Sequence, residues 1–78
     1  MSSQKYIEYP LEKFYQIEDT DDLILRLTIG LNNKLFWVES DLVTMQGRKI
    51  LRHLGRQQNI ESLFDATQVG LKFYQSFK

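Results

Sequence analysis

The stretch LILRLTIGLNNKLFWVES, Leu23 to Ser40, decides the fold. Two apolar runs are split by Asn32-Asn33. Asparagine tolerates positive φ, so a two-residue turn fits there. A tight turn at that pair sets a register: Leu31 opposite Lys34, Ile29 opposite Phe36, Leu27 opposite Val38. Leu23, Leu25, Leu27 and Ile29 then share one face with Phe36 and Val38. On the other face Thr28 meets Trp37 and Arg26 meets Glu39, an opposite-charge pair worth about 0.2–1 kcal/mol. Register, face and charge agree on an antiparallel β-hairpin. The rival is a helix over Asp22–Leu31, and the β-branched residues with Gly30 weigh against it.

Toward the N-terminus, Tyr6, Ile7, Tyr9, Leu11, Phe14, Tyr15 and Ile17 are aromatic or apolar and favour extended chain. Pro10 is the chain's one proline and ends an extended entry segment. A short strand within Lys13–Glu18 would make the hairpin a three-stranded meander. The cluster EDTDD, Glu18 to Asp22, then breaks the pattern as a turn. It is not an EF-hand loop, because Ile24 stands where that loop needs glycine.

Toward the C-terminus, Ser40-Asp41 offers a capping side chain and a first-turn acid. Val43, Ile50, Leu51 and Leu54 fall on one stripe at a 3.6-residue period, which predicts a helix over Val43–Leu54. Gly55 would cap its end. Asn59 would cap a second helix starting at Ile60. On that helix Ile60, Leu63, Phe64, Thr67, Leu71 and Tyr74 form one face. Val69, Phe73 and Phe77 lie on the opposite side. A strand from Val69 is the alternative, with 69, 71, 73 and 77 facing one way. A helix apolar on two sides can pack one face on the hairpin and offer the other to a partner, unless a small core wraps both.

The chain has 78 residues, which sets one small domain spanning residues 1–78. Its 42% hydrophobic and 26% charged content are those of a globular chain rather than a disordered one. A core this size gives no more than about 3–5 kcal/mol, so many such domains add disulfides, a metal or a partner. With no cysteine and one histidine, disulfides and the usual zinc ligand sets are excluded. That leaves self-association or docking on another protein. No run is long enough for a membrane helix, and MSSQKYIEYP lacks the apolar centre of a signal peptide. The expected location is cytoplasmic, in keeping with the absence of cysteine.

Charge is zero overall but uneven. Residues 1–41 carry eight acids and four bases, while residues 42–78 carry two acids and six bases. The halves neutralise each other in the fold, or they leave a basic face for a partner. That face is GRKILRHLGRQQN, Gly47 to Asn59. Arg48, Lys49, Arg52, His53 and Arg56 lie opposite the apolar stripe of the expected helix. Cations near a helix C-terminus also satisfy the macrodipole, so a solvated face explains them without a ligand. The functional reading is contact with an acidic protein or with nucleic acid, where arginine and lysine meet phosphates and Gln57, Gln58 and Asn59 could meet base edges. Zero net charge weighs against a dedicated nucleic-acid binder. His53 would serve as a general base only with an orienting partner and a nucleophile, and no motif frames the serines at 40, 62 or 76.

The expectation is therefore an α+β domain, an N-terminal antiparallel β-hairpin or three-stranded meander packed against two C-terminal helices. Its expected role is that of a non-catalytic protein-interaction or regulatory module, homodimeric, with no cofactor, metal or small-molecule substrate. Trp37, Val69, Phe73 and Phe77 are the candidate apolar anchors. Arg48, Lys49, Arg52, His53 and Arg56 are the candidate basic contacts. A small nucleic-acid-binding regulator using the same basic residues is the alternative.

Overall fold

The computed structural model describes residues 7–17 and 22–78. Along them run β1 (Leu11–Gln16), β2 (Leu23–Asn32), β3 (Leu35–Thr44), β4 (Ile50–Ile60) and α1 (Leu63–Phe77). The strands form one sheet in the order β1-β2-β3-β4, every neighbour antiparallel. The mixed α+β expectation holds, with four strands and one helix among the described residues in place of a two- or three-stranded unit and two helices. Most of the EDTDD cluster lies outside the described residues.

The hairpin at Leu23–Ser40 forms as β2 and β3, paired without a break from Leu23↔Thr44 to Asn32↔Leu35. Its turn is Asn33-Lys34, one residue later than expected. Both take positive φ, 53° and 70°, as a type I′ turn requires. Moving the turn by one residue shifts each partner by two, so Ile29 meets Val38 and Arg26 meets Asp41. An even shift leaves every side chain on its original face. The apolar face therefore stands as read: Leu25, Leu27, Ile29 and Val38 are 2% exposed or less. Leu23 and Phe36 pack at its rim.

The helix expected over Val43–Leu54 is a strand instead. Ser40-Asp41 caps nothing; β3 runs through both to Thr44. The chain turns at 45–48, with Gly47 and Arg48 at positive φ, and returns as β4. Thr44 closes this turn, its N–H donating to the Lys49 carbonyl at 2.9 Å and its Oγ1 accepting from the Lys49 N–H at 3.0 Å. The misleading pattern has a physical cause. The register against β3 slips three times, between Phe36 and Val38, between Ser40 and Asp41 and between Leu42 and Val43. At the last two slips Leu54 and Leu51 are the extra residues in β4. Each bulge breaks the two-residue alternation of a strand. Ile50, Leu51 and Leu54 are thereby left at spacings that imitate a helical stripe.

The terminal helix is present and starts later than expected. Its cap is Ser62, whose Oγ accepts from the Asp65 N–H at 3.0 Å. Asn59, the expected cap, sits at φ 61° within the outer bulge of β4. Helix α1 covers the apolar sheet face through Ala66, Thr67 and Gly70. Gly70 permits the close approach: a Cβ there would lie 2.9 Å from Leu27 and 3.0 Å from Val38. At the same crossing the buried Ser40 Oγ donates to the Gly70 carbonyl at 2.8 Å. Each core leucine or isoleucine withdrawn from water contributes about 1.5–3 kcal/mol. The shortest extent of the molecule is 18 Å, room for one helix on one sheet.

Candidate functional site

Among the described residues no helix covers the second sheet face, and the strand registers arrange its side chains in rows. One row is Phe14–Arg26–Asp41–His53, one residue from each strand. The next is Glu12–Thr28–Glu39–Arg56. Asp41 is the hub. Its side chain is 6% exposed, and it meets Arg26 Nη2 at 3.5 Å and His53 Nδ1 at 2.8 Å. A carboxylate oxygen can only accept, so His53 donates from Nδ1. Arg26 reaches back to Glu12 at 3.9 Å, and Arg56 pairs with Glu39 at 3.6 Å.

Arginines also cover the rings of this face. The Arg48 guanidinium lies 4.1 Å from the centre of the Phe14 ring, and that of Arg56 lies 4.8 Å from Trp37. Trp37 rests on Gly30 of the neighbouring strand; a Cβ on that glycine would fall 2.1 Å from the indole. The centre of this face is thus occupied by its own charges and rings. A cleft beside Trp37 is lined by Asn32, Leu35, Phe36, Arg56, Gln58 and Asn59.

The expected apolar anchors do not share a surface. Trp37 belongs to the uncovered face, whereas Val69, Phe73 and Phe77 belong to α1 on the other side. Val69 packs against the core and Phe73 lies against Gly55 of β4, both half-buried within one chain. Phe77 remains 43% exposed, with the Arg52 guanidinium 4.8 Å from its ring. The basic residues are brought onto one strand and its entry turn, but split between faces. Arg48, His53 and Arg56 serve the uncovered face and Arg52 the helix face. The Lys49 side chain is exposed in the turn.

Sequence reasoning missed the Arg26–Asp41–His53 row. The local pattern casts Asp41 as the first-turn acid of a helix, and a turn at Asn32-Asn33 pairs Arg26 with Glu39. His53 does have the orienting carboxylate a general base needs. Ser40 and Ser62, however, are committed to the Gly70 carbonyl and the α1 cap. No group of three His, Cys, Asp or Glu side chains that could hold a metal occurs among the described residues. No helix there is long and apolar enough to cross a membrane.

What remains unspent is the outer strand. β4 is an edge, exposed along nearly its whole length except Leu54, Gly55 and Ile60. From Leu42 to Ile60 the chain has no acidic residue. Ile50 and Leu51 stand 52% and 54% exposed between Arg48-Lys49 and Arg52. Comparison with protein-family models, with curated proteins and with solved structures finds no match.

Proposed function

We propose that this chain is a non-catalytic docking module whose contact surface is the β3–β4 turn and the outer side of β4, and that it acts in the cytoplasm. One observation carries the reading: an acid-free edge strand holds two exposed aliphatic side chains within a frame of cations. Exposed single leucines are ordinary; adjacent aliphatics inside a charged frame are typical of a protein contact. A nucleic-acid reading fits less well. Phosphates could neutralise Arg48, Lys49 and Arg52 but would leave Ile50 and Leu51 uncovered, and Arg56 is already paired with Glu39. Self-association through α1 loses its main support, because Val69 and Phe73 are taken up inside the subunit.

A library of displayed protein fragments selected on the purified chain tests this. Recovered fragments should lose binding to the Arg48→Glu, Arg52→Glu variant. Fragments indifferent to that change would contradict the reading. So would oligonucleotide binding at low salt that weakens, with a shallower salt slope, in an Arg52→Glu, Arg56→Glu variant.

A further inference from the structure

The size, charge and irregular edge of β4 narrow the kind of partner, given the docking reading above. Arg48 to Arg52 is a ribbon of five residues, the end of the turn and the first residues of β4. A folded partner needs about 800 Å² on each side, far more than this ribbon offers. A short linear segment fits it. Arg48 leans over the uncovered face toward Phe14, and Arg52 over the helix face toward Phe77. Ile50 and Leu51 lie between them. An extended segment presents alternate side chains to opposite faces, so it can meet both arginines at once.

The bulges at Leu51 and Leu54 matter here. A bulged, cation-rich edge resists indiscriminate strand addition, so selection falls to side chains rather than to the main chain. A lipid surface fits poorly. Met45 N–H donates to the Asp22 carbonyl at 2.8 Å, so the described end of the acidic EDTDD cluster lies against the same turn. A flat anionic membrane approaching that end would meet Asp22; a narrow segment lying along β4 would not.

We propose that the β3–β4 turn and β4 recognise a short extended protein segment in which acidic and aliphatic residues come in adjacent pairs, so that each of its faces carries both. Carboxylates meet Arg48, Lys49 and Arg52, and the aliphatic side chains cover Ile50 and Leu51.

The test is an amide-resolved NMR titration of the full chain with a synthetic peptide that repeats Glu-Glu-Val-Val. A lysine-for-glutamate peptide, oligothymidylate and phosphatidylglycerol vesicles run in parallel. Shifts should centre on Lys49–His53. Affinity should fall about tenfold in Arg48→Ala, Arg52→Ala, since two exposed charge contacts are lost. It should fall again in about 1 M salt, where screening acts over roughly 3 Å. A Lys49→Glu, Leu51→Ser variant, which keeps both arginines and their ring contacts, should also weaken binding, while Lys72→Ala on α1 should not. No shift with the acidic peptide, equal binding of the lysine peptide, or indifference to both β4 variants overturns the proposal. Binding of oligothymidylate or vesicles at these amides, with the acidic peptide silent, overturns it in favour of phosphate. If the acidic peptide fails while fragment selection still returns β4-dependent segments of other composition, the occupant is wrong and the docking reading survives.

Discussion

Asp41 and Gly30 are the two residues on which the uncovered face turns. Asp41 is nearly buried and answers both Arg26 and His53. Arg26 has little exposure of its own, and its Nε is buried without a hydrogen-bond partner. Removing the carboxylate leaves a mostly buried guanidinium with only the distant Glu12, so Asp41→Ala should destabilise the fold by about 3 kcal/mol in urea titration. His53→Ala removes the half-exposed partner and should cost under about 1 kcal/mol. Equal losses in the two variants would refute the hub assignment. Gly30 is needed because Trp37 lies flat upon it. Gly30→Ala should expel the indole, lower stability by about 1–3 kcal/mol and red-shift its fluorescence. An unchanged emission maximum would show that the ring does not rest there.

The elements divide into those set locally and those set by neighbours. The β2–β3 turn is local: two non-glycine residues hold positive φ, and asparagine tolerates this better than lysine. Lys34→Gly should therefore raise stability by about 1 kcal/mol, since Asn-Gly suits a type I′ turn. A loss on thermal denaturation would place the turn elsewhere. The helix start is also local, and Ser62→Ala should cost about 1 kcal/mol by removing the acceptor for Asp65 N–H. Strand β4 belongs to the other kind. Its own residues spell a helix, and pairing with β3 overrides them. Alternation was visible in β2, where Leu23, Leu25, Leu27 and Ile29 follow period two without interruption. It was invisible in β4, where the register slips three times.

Over its described residues the molecule is a helix on a sheet, with ion pairs and rings in place of a second layer on the other face. The charge asymmetry between the halves is partly met inside the fold, through Arg56–Glu39 and the approach of Asp22 to the β3–β4 turn. Only some of the basic stretch stays available, which is why the candidate contacts shrink from Arg48–Arg56 to the ribbon around Ile50 and Leu51. With Val69 and Phe73 occupied by their own chain, the protein should sediment as a monomer through the micromolar range. A concentration-dependent dimer, abolished by Phe77→Ser or Phe64→Ser, would restore the helix surface as an interface.

Unaided, the sequence determined the hairpin and its buried face, and it favoured the terminal helix over a strand from Val69. In the hairpin one clean period runs longer than the error in its boundaries, and burial follows period directly. It also set the concentration of cations between Gly47 and Asn59. Tertiary structure alone decided that this basic stretch is an edge strand, that Asp41 joins Arg26 to His53, and that Trp37 and Phe73 lie on opposite sides. These facts depend on register between distant segments. A shift of one residue at a turn, or one extra residue in a strand, changes the partners while leaving composition and local preference untouched.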